Sequence, residues 1–506
     1  MGRHMDRRRF LELSGGASAA LLAGCGGGSG STTSPPAPPG QAGPNWASLS
    51  AALGGELLRP GDTAYAAASL LANMRFDGTK PAAIIKCKSV EDVRAGLAFV
   101  RSNQLAVTPR CGGHSWAGTS TTTGVVLNVT PMNAIEVYAN GTAKVGAGAR
   151  LAEVYDKLIA HGVCIPSGTC LTVGIAGITL GGGIGILDRQ FGLTCDNLLA
   201  AEVVTADGRL LNCDASTEPD LFWALRGGGG GNFGVAMSFT FKTHRIEDIT
   251  VARADFRFQD FAAMFDAWQR WPQSLPDNVW AQIYIQFGSG GASCTVTAYC
   301  LGTSGFLQPY WNAFLAATGV AGTDMSTAIS QLPYRDVAWS MCAGIPLNQC
   351  SLSGYSPEGR KTRYDEVLSS DFFNELLPAA GIAALNQSVK DAMAAGISGS
   401  YIFDHMGGAI GRVATDATAF VHRKALFSVE YATWQSRTIY DTTFPNRMRS
   451  VMSAWSSGGA YVNYLDPLMK NWQSAYYGGN YARLSIVKKQ YDPGRVFNMA
   501  QGVEPA

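Results

Sequence analysis

One stretch sets a single imidazole among glycines: Arg110-Cys111-Gly112-Gly113-His114-Ser115-Trp116-Ala117-Gly118, in a chain with 6 histidines. Glycine admits positive φ and lets another molecule approach the main chain closely. An imidazole there suits a satisfied loop contact, a metal ligand or a catalytic base, because its charge changes near neutral pH. A second glycine-rich run starts at Pro166-Ser167-Gly168-Thr169-Cys170 and continues through Thr172, Val173, Gly174, Gly177, Gly181 and Gly182 to Gly185. A third follows Arg226 and ends at Gly234. Glycine-rich turns present backbone N–H groups to phosphates and other anions, so loops converging from three distant segments point to a dinucleotide. The run from Gly181 to Gly185 does not open a clean βαβ unit with a ribose-binding acid about 20 residues on, and no GK[ST] follows a glycine loop. Both the Rossmann fingerprint and the Walker A loop are therefore set aside.

The elements that position these loops read as α/β up to about residue 248. Ala82 to Ile85 predicts a short strand, and Val90 to Ser102 an amphipathic helix capped by Ser89 with an acidic first turn. Strands are expected at Val107-Thr108, entering the histidine loop, at 124–129 and at 143–149, the last followed by a helix from Leu151 to His161. Ala201 to Thr205 and Leu210-Leu211, joined by Asp207-Gly208, read as a hairpin. Beyond Ile249 the texture changes. Alternation in 280–286 and 294–299 predicts an antiparallel sheet, with helical stretches at Phe372 to Leu377 and Asn386 to Ala395. The tail from Asn480 to Phe497 reads as helix and then loop.

The three loops, in this order and spacing, resemble those of the flavin-linked oxidases of the vanillyl-alcohol oxidase type, and more narrowly the berberine-bridge-enzyme-like branch. Tyr461-Val462-Asn463-Tyr464-Leu465-Asp466 is similar to that branch's YxNYxD signature, and 480–497 to its closing segment. The resemblance covers roughly residues 60–506. It implies an α+β protein: a PCMH-type FAD-binding domain at 46–248, a substrate domain at 249–450 with an antiparallel sheet flanked by helices, and a segment at 451–506 returning to the FAD domain. It also implies FAD bonded covalently through His114, at the flavin's 8α-methyl, and Cys170, at C6. An imidazole and a thiolate are the nucleophiles suited to an electron-poor ring. Arg110, Gly112, Gly113, Ser115, Gly118, Thr172, Val173, Gly174, Gly177, Gly181, Gly182, Gly185, Val203 and Asn463 are the further cofactor-binding candidates. For oxidation of an alcohol, the resemblance points to Tyr464 as base, Asp404 of Asp404-His405-Met406-Gly407-Gly408 as its partner and Tyr461 as rival. Val173, a small residue, accompanies reaction with O2 in this family. Trp116 stands where carbohydrate oxidases often carry tyrosine, and is expected to border the substrate.

With 506 residues, 46% hydrophobic and 15% charged, the chain exceeds one typical core, and a net charge of +1 without basic stripes argues against nucleic acid as a partner. Cysteines number 11 and form no CxxC pair, so a metal site is not expected. Asp6-Arg7-Arg8-Arg9-Phe10-Leu11, an apolar stretch to Leu22 and Leu22-Ala23-Gly24-Cys25 read as residues 1–25 of a twin-arginine, lipoprotein-type signal. A flexible Gly/Ser/Pro linker at 26–45 follows. This predicts export to the periplasm or cell surface, with membrane attachment only through a lipid at Cys25. The expected partners are a small-molecule alcohol or sugar and O2. An oxidative cyclase or dehydrogenase using another electron acceptor is the alternative enzyme, and a non-catalytic surface-binding lipoprotein the alternative outside enzymes.

Overall fold

The computed structural model describes residues 43–342, 347–350, 363, 365–434 and 441–506. The export signal, Cys25 and the linker up to residue 42 lie outside the described residues. The compact body runs from Trp46 to Ala506.

Its first part carries two small sheets. Strands β1 (Glu56–Leu58), β2 (Ala83–Lys86), β3 (Val107–Arg110) and β4 (Val125–Asn128) lie in the order β1-β2-β4-β3, with β2, β4 and β3 parallel and β1 antiparallel to β2. Helix Val90–Ser102 is the crossover that parallel pairing requires. Ser89 Oγ accepts from Asp92 N at 3.3 Å to start that helix. The second sheet is antiparallel: β5 (Ile135–Tyr138), β6 (Thr142–Gly146), β8 (Leu198–Val204), β9 (Leu210–Asp214) and β10 (Val235–Lys242), ordered β5-β6-β10-β8-β9. β7 (Val163–Cys164) pairs separately with β11 (His244–Arg245). Ile85, Leu97, Leu127, Val145, Leu158 and Phe239 share one apolar core with Tyr476, Tyr477, Leu484 and Tyr491 of the C-terminal segment. The end of the chain thus closes the core that its beginning opens.

The other sheet has seven antiparallel strands: β12 (Ile249–Arg257), β13 (Val279–Gly288), β14 (Gly291–Leu301), β15 (Met325–Leu332), β16 (Glu366–Phe373), β17 (Ser398–His405) and β18 (Phe427–Trp434). Their order is β15-β12-β14-β13-β17-β18-β16. The period of two decides which residues go where. On β13, Ile283, Ile285 and Phe287 enter a core with Phe265 and Trp268 of helix Phe261–Arg270, while Gln282, Tyr284 and Gln286 face a cavity on the other side. Helices Ser304–Thr318, Ala379–Ala394 and Phe444–Met452 complete the apolar face.

The helical reading of Phe372 to Leu377 is corrected: Phe372 and Phe373 end strand β16, and no helix covers that stretch. β16 is covered on both sides. Phe372 stacks on His422 and Phe373 on Phe427, so both neighbours are buried and no alternation is visible in the sequence. A disulfide joins Cys342 to Cys350, a pairing that spacing alone did not indicate.

Candidate active site

A single cavity of about 820 Å³ lies between the glycine loops and the polar face of the seven-stranded sheet. This is the upper part of the range for ligand sites.

One wall is main chain. Gly112, Gly113, Gly174, Gly177, Gly185 and 229–231 line it together with Arg110, His114, Ser115, Cys170, Val173 and Asn463. The loops abut so closely that a Cβ on Gly112 would overlap Gly174 N. Gly113 adopts φ 65°, which glycine tolerates and other residues resist. A Cβ on Gly177, by contrast, would project into open space, the clearance a bound cofactor needs. Arg110 is buried and braces the histidine loop, its guanidinium donating to Ser120 O at 2.8 Å and Ala68 O at 2.6 Å. His114 Nε2 lies 3.5 Å from Cys170 Sγ, although 56 residues separate them in sequence. Burial lowers the imidazole's pKa, but Cys170, a backbone hydrogen bond and Glu366 together outweigh it and the net shift is upward. Trp116 meets His114 edge-to-face at 5.3 Å between ring centres and lines the cavity beside it.

Five cofactor-binding candidates stand behind this wall rather than on it. Gly118 packs against Phe76, Gly181 against Asn463, and Gly182 against Phe420. Thr172 is buried with its hydroxyl 3.4 Å from Cys170 Sγ, so it touches the nucleophile and not the cavity. Val203 is fully buried on β8 and backs Gly234. Gly118, Thr172, Gly181 and Gly182 belong to the cavity-forming loops, and sequence spacing does not separate a loop's exposed residues from its packing residues.

The opposite wall is side chain. Glu366, Asp404 and Glu430 face the cavity from β16, β17 and β18, among Gln282, Tyr284 and other polar residues of β13 and β14. The turn bearing the tyrosines is fastened to β16 by consecutive serines. Ser370 Oγ accepts from Tyr461 N at 2.9 Å, and Ser369 Oγ donates to Asp466 Oδ2 at 2.7 Å. Asp466 thereby acts as the anchor of the YxNYxD turn, and the turn projects Tyr464 into the cavity.

Glu430 joins Asp404 beside Tyr464, and of the two its charge acts on the phenol more strongly. Asp404 accepts from Gln282 Nε2 at 2.9 Å, because the two are register partners on β17 and β13. Tyr461 also borders the cavity, and its hydroxyl accepts from Gly183 N and from Asn463 Nδ2, both at 2.8 Å, which ties the glycine loop to the turn. Glu430 and Glu366 escaped sequence reading because a strand carboxylate carries no motif. The one available signal was the placement of charged residues within otherwise buried β-patterns, Ser428-Val429-Glu430-Tyr431 above all.

The carboxylates are unlike surface acids. Burial raises Glu430 to about 8, aided by the like charge of Glu366 and opposed by the Tyr464 hydroxyl. Burial likewise lifts Glu366 to about 7 and Asp404 to about 6. Tyr464 is pushed well above the usual phenol range by burial and by Glu430. The group of this pair that changes charge near neutrality is therefore Glu430, not the phenol.

Comparison with known proteins agrees with this geometry. Residues 81–214 match a family model described as an FAD binding domain, and 460–504 one described as berberine and berberine like. The chain is 31% identical to the uncharacterized FAD-linked oxidoreductase YvdP of Bacillus subtilis (strain 168), over 90% of this chain and 99% of that one. It is 30% identical to berberine bridge enzyme-like 23 of Arabidopsis thaliana, over 85% of each. Among solved structures, Physcomitrella patens BBE-like 1 superposes with a TM-score of 0.83 at 29% identity, covering 91% of this chain and 99% of that one.

Proposed function

The chain belongs to the berberine-bridge-enzyme-like FAD-linked oxidoreductases, and on that premise we propose that it oxidises a C–OH carbon of a hydroxyl-rich small molecule, a saccharide or a glycosylated metabolite, and passes the electrons to O2. The observation that carries this reading is the polar wall holding Tyr464, Glu430 and Asp404, which borders the same cavity as the His114–Cys170 pair.

FAD fits the glycine wall, where the open space beside Gly177 admits a group approaching the main chain. His114 and Cys170 would hold its ring by covalent bonds, and Asn463 with the Gly174–Gly185 run would border it. When bound, the flavin supplies the hydride acceptor. The protein's residues supply the rest. Gln282 and Tyr284 give the sheet wall donors and acceptors for hydroxyl groups, and Trp116 offers a flat apolar face. The Tyr464 hydroxyl orients the reacting alcohol, and Glu430 takes the alcohol proton by way of that hydroxyl as the carbon's hydrogen leaves with its electron pair. Asp404, held by Gln282, orients substrate hydroxyls. Val173, a small residue bordering the cavity, leaves room for O2.

Two measurements test this. A panel of mono- and oligosaccharides and glycosides, assayed for peroxide, should give turnover with members of that class. Peroxide-free reduction of a dye or quinone would assign a dehydrogenase. Denaturation followed by intact mass should leave FAD on the polypeptide, whereas complete release of flavin would remove the covalent assignment of His114 and Cys170.

A further inference from the structure

Glu366 is a cavity-facing carboxylate that the proposed chemistry does not use, and the structure goes to some length to place it. The segment at 71–77 bridges the histidine loop and the start of β16. Ala72 N donates to Gly113 O at 3.1 Å, and the Leu71 side chain sits against Gly113. One residue on, buried Asn73 donates from Nδ2 to Glu366 O at 2.8 Å and accepts from Arg75 N at 3.2 Å. Arg363 fixes the bridge from the other side, donating to Leu71 O at 2.8 Å and pairing with Asp77. His114 and Glu366, distant in sequence, are thus held in one frame and border one cavity. Electrostatics agree. The charged group acting most strongly on Glu366 is His114, followed by Cys170. Glu430, by contrast, feels the Tyr464 hydroxyl, and Asp404 accepts from Gln282.

We propose that Glu366 is the proton acceptor that enables His114 to join the flavin ring. This rests on the covalent reading above. In that step an imidazole N–H and one C–H of the ring methyl break, and an N–C bond forms. The imidazole proton passes to the Glu366 carboxylate, and the methyl hydrogen leaves to solvent as a proton. The two electrons enter the ring and are taken from it by dioxygen, which becomes hydrogen peroxide. Glu366 is suited to the task because a proton accepted beside a cationic imidazole is exchanged within a pair instead of being created in a buried site. The 71–77 bridge keeps that pair aligned while the cavity is filled.

The test isolates the histidyl bond in a Cys170→Ala background and follows covalent FAD over time by intact mass after denaturation. Flavin bound before denaturation is measured in parallel. Cys170→Ala alone should carry FAD through His114. Adding Glu366→Gln should slow linkage on the order of 100-fold, the scale of general-base assistance, while non-covalent flavin stays bound at wild-type stoichiometry. Adding Glu366→Asp instead should restore part of the rate. Linkage in the Glu366→Gln double variant as fast as in Cys170→Ala alone overturns the proposal. So does a double variant that holds no flavin even before denaturation, since it assigns Glu366 to binding. If Cys170→Ala and wild type both release all their FAD, the covalent reading itself has failed, which is a separate result.

Discussion

Gly112 and Glu430 border the same cavity from opposite walls, and they tolerate change in opposite ways. On the glycine wall the main chain is the surface: an added methyl at Gly112 meets the backbone of Gly174, which cannot turn aside. On the sheet wall the surface is made of side-chain ends, while the strands beneath are secured by the Phe265, Trp268 and Phe403 core. The first wall recognises a ligand by backbone shape and so ties recognition to folding. The second holds its chemistry on replaceable groups, separate from what folds it. On the proposed function, the flavin lies along the first wall and the substrate along the second.

The sharpest break of this comparison is Glu430→Gln. If the sheet wall carries chemistry independently of the fold, flavin content should stay at the wild-type level while the rate of flavin reduction falls on the order of 10²–10⁴-fold in stopped-flow traces. The wild-type reductive rate should rise with pH through about 8, as Glu430 becomes the ionised acceptor, and the variant should lose that limb. Stability has the opposite sign. The folded state raises this carboxyl, so the fold favours its protonated form, and stability falls as pH climbs from the usual glutamate range past about 8. Above that pH, Glu430→Gln should melt higher than wild type in calorimetry. A lower melting point there would show that the charge is structural.

Gly112→Ala tests the other wall and should give the reverse pattern. The overlap with Gly174 N costs about 1–3 kcal/mol, as overpacking does, and narrows the cavity where the cofactor lies. The flavin-to-protein ratio and the melting temperature should fall together. Loss of activity with full flavin content would contradict a backbone-built wall.

The same contrast explains what the sequence could and could not disclose. The cofactor wall was legible because close backbone approach demands glycine, and glycines at Gly112, Gly113 and Gly174 leave a pattern with fixed spacing. Elements with one buried face, such as Val90–Ser102 and the hairpin of β8 and β9, were legible through periodicity. β16 was not, since Phe372 and Phe373 are buried on opposite sides. Nor was the place of Glu430 beside Asp404. The two sit on adjacent strands, and register pairs Asp404 with Gln282 and Glu430 with Ile402. Register across 25 residues of intervening chain is a tertiary fact that no local pattern contains.

A smaller effect is expected where the two walls are joined. Ser370→Ala removes the acceptor of Tyr461 N, at about 1 kcal/mol, and loosens the turn that carries Asn463 to one wall and Tyr464 to the other. Turnover should drop several-fold with flavin retained and KM little changed. An effect confined to melting temperature would mean that the turn is held by Asp466 alone.

The smallest expected effect is also the one that separates the two carboxylates. In Asp404→Asn, the oxygen that accepts from Gln282 is preserved, so the local structure should stand. Asn resembles the protonated acid, and burial keeps Asp404 protonated up to about 6. Below that pH the variant should match wild type, and above it kcat/KM should part from wild type by only several-fold, because Asp404 orients substrate and does not take the proton. Its negative charge also helps to raise Glu430, so its removal should move the reductive pH midpoint downward from about 8. A loss as deep as that of Glu430→Gln, with the midpoint unmoved, would return the role of proton acceptor to Asp404. It would also show that Glu430 shapes the wall without taking part in the reaction.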